Sequence, residues 1–90
     1  MEDLIRETRE DFRIPPYYSD DAIRRNIKEG EQRLLRLNPD RDYEEDLIFR
    51  NLLKTYAWYA FNNAIHDFFE NYSSSILEWQ LGSEVSDAKE

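Results

Sequence analysis

The sequence predicts an all-α fold, a small bundle of three to four helices around one long central helix. Three observations lead there. Only two glycines and three prolines interrupt ninety residues. Apolar residues recur at helical spacing in the segments between those breakers. The hydrophobic fraction is 40%, with 14% aromatic, enough for a folded core. We expect one helical domain over residues 1–82 and a disordered polar tail over residues 83–90. A chain this short has a thin core, so association with copies or partners would add burial it lacks alone.

The first helix is predicted over residues 2–12, with Leu4, Ile5, Thr8 and Phe12 on roughly one side. Pro15-Pro16 ends it, because proline cannot continue a helix and restricts the residue before it. Arg13 to Tyr18 then reads as an extended elbow. Ser19 or Asp20 caps a second helix that runs to about Leu37. Ile23, Ile27, Gly30, Leu34 and Leu37 form its apolar stripe, and Gly30 allows a close backbone approach. Asn38-Pro39-Asp40 breaks it.

The central helix is expected to start near Asp42, which has capping-box spacing to Glu45, and to meet no breaker before Tyr72. That would make it ~30 residues and ~45 Å long. Ile48, Phe49, Leu52, Leu53 and Tyr56 share one face in its first half. Ala57, Ala60, Phe61, Ala64, Ile65, Phe68, Phe69 and Tyr72 share another in its second half, rotated by roughly 130° at 100° per residue. A helix whose stripe changes sides must be covered from two directions, which suggests cover from another subunit. Asn71 to Ser75 is a polar break, and Ser75 with Glu78 again has capping-box spacing. Ile76, Leu77, Trp79, Gln80 and Leu81 make a short helix or arm that Gly82 ends.

Several chemistries are excluded or disfavoured. There is no cysteine, so disulfides, thiolate nucleophiles and cysteine metal sites are out. MEDLIRETRED has neither a basic region nor an apolar one, so no signal peptide is expected. No apolar run approaches the ~20 residues needed to span a bilayer, and a cytoplasmic protein is the default. The net charge of −8 opposes gripping DNA phosphates but would let DNA slide past without sticking.

Asp40, Asp42, Glu44 and Asp46 alternate as in a calcium loop, but Glu45 and Asn51 stand where Gly and Glu are required. His66 and Asp67 are adjacent on a helix and point apart, so they form no acid–base pair. Ser73, Ser74 and Ser75 lie where helix capping explains them. No cofactor and no metal is expected, and no catalysis. The sequon Asn71-Tyr72-Ser73 has no secretory context.

Three groups are candidates for protein contacts. Arg24, Arg25, Lys28, Arg33 and Arg36 lie opposite the apolar stripe of the second helix. They form either a solvated face salted by Glu29 and Glu31 or a basic patch for an acidic neighbour. Tyr56, Trp58, Tyr59, Phe61, Phe68 and Phe69 form an aromatic belt. About half of it is ordinary core, and Trp58 and Phe61 leave the first-half face and are interface candidates. Ile76, Leu77, Trp79 and Leu81 either fold back on the core or dock as an anchor into a partner groove.

The segments DFRIPPYYSDDAIRRNI and DYEEDLIFRNLLKTYAWYAFNNAIHDFFENYSSSILEWQL resemble the small head–tail connector (adaptor) proteins of long-tailed phages and prophages. The similarity runs over about residues 4 to 81 and rests on the Ile-Pro-Pro-Tyr elbow and on Leu52, Leu53, Tyr56, Tyr59, Ala60, Asn62 and Ala64. The resemblance implies a virion subunit that forms a ring, typically of twelve, between the portal and the stopper or tail. The ring continues the DNA channel without specific binding, and before assembly the subunit is in the host cytoplasm. It also implies a C-terminal segment that changes conformation on docking to the portal, which would place Ile76, Leu77 and Trp79 at or near that contact. The very short loops of this chain depart from some relatives. The competing reading is a cytosolic helical regulator that binds and masks one protein. If Trp58 and Trp79 are interface residues, Trp58→Ala and Trp79→Ala keep near-native circular dichroism and lose ring formation or portal binding.

Overall fold

A computed structural model of the protein describes residues 1–89, with side chains described to Gly82. Five helices are present among the described residues: α1 (Glu2–Asp11), α2 (Asp20–Leu37), α3 (Leu47–Phe61), α4 (Ile65–Asn71) and α5 (Ser73–Lys89). Helix α5 continues through Gly82, where the sequence suggested an end. The disordered tail expected at residues 83–90 concerns residue 90 and side chains that lie outside the described residues.

Helix α1 ends in a reverse turn and not in an extended segment. Arg13 adopts a left-handed conformation (φ 51°), and the amides of Arg13 and Ile14 donate to the carbonyls of Glu10 and Arg9. This double bond pattern is a Schellman cap, and it turns Ile14 into the core. Pro15 to Tyr18 then closes a second turn, with the Tyr18 amide donating to the Pro15 carbonyl at 3.1 Å. Two consecutive prolines supply carbonyls but no N–H groups. Arg9 fills the deficit: its guanidinium donates to the carbonyls of Ile14, Pro15 and Tyr18 at 3.3, 2.9 and 2.6 Å, and to Asp20 Oδ1 at 2.8 Å. Ser19 caps α2 by accepting from the Ala22 amide.

The expected long central helix is two helices. At the end of α3 the amides of Asn63 and Ala64 donate to the carbonyls of Ala60 and Tyr59 at 3.0 and 2.8 Å, and Asn63 is left-handed (φ 55°). Asparagine tolerates that conformation better than most residues, so Asn62-Asn63 is a stop signal that apolar periodicity hid. The start also moves. Asp42 folds into a local turn, accepting from the Glu44 amide, and Asp46 is the true N-cap of α3, accepting from Phe49 N–H at 3.0 Å. The second face is split: Ala57, Ala60 and Phe61 stay on α3 while Ile65, Phe68 and Phe69 turn away on α4, and the elbow and α4 cover from within the chain what the rotating stripe assigned to a second subunit. No described helix exceeds the 18 residues of α2. The 15-residue α3 nevertheless takes the central position and packs on all four others.

The core is Leu4, Ile5 and Ile14 from the α1 region, Ile23, Ile27 and Leu34 from α2, Phe49, Leu52, Leu53, Tyr56 and Ala57 from α3, Phe68 from α4, and Ile76 and Trp79 from α5. Buried Thr8 is satisfied within its helix, donating to the Leu4 carbonyl at 2.7 Å. Helices α2 and α3 cross at Gly30. A Cβ there would lie 2.7 Å from Cδ1 and 2.8 Å from Cγ of the Tyr56 ring, too close to exist without movement. Helices α1 and α3 are joined by charge: Arg50 makes a two-pronged contact to Glu7, and Lys54 bridges Glu7 at 3.3 Å and Asp11 at 2.8 Å.

Two outcomes follow from this packing. Gly30→Ala is expected to destabilise the fold by about 1–3 kcal/mol in urea unfolding, as overpacking does, although alanine improves helix propensity by about 1 kcal/mol. The hydrogen bonds from Arg50, opposed by burial and assisted by Lys54, lower the Glu7 carboxyl from the usual 4.5 to about 2. A depressed carboxylate contributes stability that is complete above its unfolded value and is lost as pH falls through the folded one. Stability should therefore decline from about pH 4.5 towards pH 2, and Glu7→Gln should flatten that part of a stability–pH curve.

Candidate interaction surfaces

The fold sorts the sequence-predicted contact residues into three fates. Trp58 and Phe61 are half-buried under the chain's own elbow. Phe12 stacks on Trp58 (5.3 Å between ring centroids), Trp58 stacks on Phe61 (5.6 Å), and Tyr18 meets Phe61 edge-on (4.8 Å). The elbow turn places Phe12 and Tyr18 there, and Asn26 holds the Tyr18 hydroxyl at 2.7 Å. The aromatic belt is thus largely internal cladding, continued by Tyr56, Tyr59, Phe68, Phe69 and Tyr72 in mutual edge and stacked contacts.

The α5 set is divided. Ile76 and Trp79 take the fold-back alternative and are buried. Trp79 stacks on Phe49 at 5.1 Å, and its indole N–H donates to Asp46 Oδ2 at 2.8 Å. Gln80 donates to the Leu37 carbonyl at 2.7 Å. The Asp46 carboxylate so caps α3 with one oxygen and anchors α5 with the other. Leu77 and Leu81 are on the opposite side of α5, about 160–200° from Trp79 at 100° per residue, and remain 54% and 50% exposed.

The basic face of α2 is divided as well. Arg24 bonds to Glu2 and Asp21, and Arg33 pairs with Glu29 at 3.6 Å and lies over the Phe69 ring. Arg25, Lys28 and Arg36 are exposed, and among the described residues no ion pair engages them. These three follow one another along the outer side of the helix.

The sequence reading missed a fourth surface. An open groove of about 680 Å³ lies where α3 begins, between Asp40, Arg41, Asp42, Glu45 and Asp46 on one side and Leu47, Ile48, Trp79 and Gly82 on the other. Leu47 and Ile48 are 68% and 55% exposed. Ile48 was expected to share the apolar face of Phe49, Leu52, Leu53 and Tyr56, but moving the helix start from Asp42 to Leu47 puts it in the first turn, where it is exposed. Asp40 is left-handed in the turn after Pro39 (φ 62°), which swings the acidic segment to the rim. A separate exposed aromatic, Tyr17 at 82%, tips the elbow at the other end of α2.

His66 is exposed on α4 with Nε2 3.0 Å from Glu70 Oε1, an ordinary one-turn pair. Among the described residues no group of three or more acidic or histidine side chains is placed to hold a metal ion, and no helix is long and apolar enough to cross a membrane. No protein-family model, no curated protein and no solved structure matches the chain.

The expected outcome for Trp79→Ala changes accordingly. Emptying a buried, hydrogen-bonded indole should cost about 3–5 kcal/mol and be visible as a lowered melting temperature. Ile48→Ser and Leu77→Ser should each stay within about 0.5 kcal/mol of wild type, as exposed sites do.

Proposed function

We propose that the chain is a non-catalytic assembly subunit, a head–tail connector that builds a homo-oligomeric ring between portal and tail or stopper and continues the DNA channel. The observation that carries this reading is the outer face of α5. Leu77 and Leu81 are one turn apart and solvent-exposed, on a helix whose other side is locked to the core by Ile76 and Trp79. A short apolar ridge on a rigid helix suits insertion into a hydrophobic groove of a partner. The Leu47–Ile48 groove supplies a second, different apolar patch, and a head-to-tail ring needs two unlike patches per subunit. The resemblance over residues 4 to 81 supplies the setting, and the acidic charge suits a lumen through which DNA passes.

The portal contact is assigned to Leu77 and Leu81, with Ile76 and Trp79 holding the ridge in place. The alternative, a regulator that masks one protein, draws on the same ridge but needs only one surface and gives a one-to-one complex.

The test is electron microscopy of the purified protein alone and mixed with its portal. Rings seated on the portal are expected, and the Leu77→Ser, Leu81→Ser double variant should keep its circular dichroism and lose them. A compact one-to-one complex with a single other protein would support the regulator instead.

A further inference from the structure

We infer that the acidic groove at the start of α3 receives the basic outer side of α2 from a second copy of this chain. The inference rests on the assembly reading above and specifies which faces meet. Charge segregation carries it. Between residues 40 and 46 the chain places Asp40, Asp42, Glu44, Glu45 and Asp46 against one arginine. None of those carboxylates is in an ion pair with a described residue, although arginines and lysines elsewhere pair repeatedly. Among the described cations outside ion pairs, Arg13 sits in the elbow, and Arg25, Lys28 and Arg36 gather on one side of α2. Like charges gathered apart from their counterparts are costly within one molecule and complementary between two.

The shapes agree with the charges. Arg25 to Arg36 spans about 17 Å at 1.5 Å per residue, a straight convex edge. The groove is open and concave, with Leu47 and Ile48 exposed beside its carboxylates. Arginine and lysine stems lie well on such aliphatic surface while their heads reach the acidic rim. The two faces are different parts of the molecule, so each copy offers one of each. The contact is head-to-tail, and it propagates to a ring or a filament and does not close as a two-fold dimer.

The experiment is sedimentation of the full chain over a wide concentration range, for wild type, for Arg25→Glu with Lys28→Glu, and for Glu44→Lys with Glu45→Lys. All four positions are exposed, and circular dichroism checks that each variant folds. We expect wild type to self-associate, each variant to weaken association by about tenfold or more, equivalent to 1.4 kcal/mol, and an equimolar mixture of the two variants to recover it. The second variant separates local pairing from bulk charge. It is less negative than wild type, so relief of general repulsion alone would strengthen its association. Variants that associate like wild type overturn the assigned faces and leave the assembly reading intact. A wild-type chain that is monomeric at every concentration overturns the self-contact, and rings formed on portal by that same chain would still uphold the connector reading. A groove that takes up only an added basic amphipathic peptide, read from Trp79 fluorescence, overturns the second copy as its occupant.

Discussion

The seating of the Tyr56 ring on the backbone of Gly30 sets the spacing of the whole bundle. No side chain separates the two helices at that point, and the ring fills the space a Cβ would need. Once α2 and α3 are held there, the Tyr56 hydroxyl reaches Glu29 at 2.6 Å, and the ring edge meets Phe68 and Phe69 of α4. Burial, with the Glu29 contact, raises the pKa of that hydroxyl, so it stays a neutral donor. One residue thus fixes the distance of α2, the placement of α4 and a part-buried polar bond. Helix α1 is added to α3 by leucine and isoleucine packing and by the Glu7–Arg50–Lys54 cluster.

This internal economy decides what the surface retains. Most of the aromatic side chains pack against one another and hold the helices together. The large apolar side chains left outside are mostly aliphatic: Leu47 and Ile48 at the groove, Leu77 and Leu81 on the ridge, and Leu37, expected in the α2 stripe but exposed at the end of that helix. Four cations join helices: Arg9 and Arg24 link α1 with α2, and Arg50 and Lys54 link α3 with α1. Of the cations outside ion pairs, Arg25, Lys28 and Arg36 share one side of α2.

Much of the architecture was legible in the residues. The helical class, the α2 stripe with its close approach at Gly30, the cap at Ser19 and the break at Pro39 all follow from local chemistry. The division of the central helix was not read, because apolar spacing continues across Asn62-Asn63 and only the left-handed tolerance of asparagine marks the stop. The N-cap of α3 was misplaced for a related reason: Asp42 and Asp46 are both good caps, and the choice depends on Asp46 also receiving the Trp79 indole from 33 residues away. The groove was invisible for the same cause, since it exists only if the helix begins at Leu47. For α5, sequence could not divide Ile76 and Trp79 from Leu77 and Leu81, because the division needs the direction from which α3 approaches.

The elbow between α1 and α2 shows how a loop can borrow its shape from a neighbouring helix. Its prolines supply carbonyl oxygens but no amides of their own; the Tyr18 amide reaches only the Pro15 carbonyl, and Arg9 answers four acceptors at once from a position in α1. Only a flat, forked cation can span that set, and a lysine at position 9 would keep the charge and lose the reach. The Pro-Pro turn and Arg9 are therefore one structural unit. A sequence that kept the prolines but exchanged the arginine would have to find a different path into its second helix.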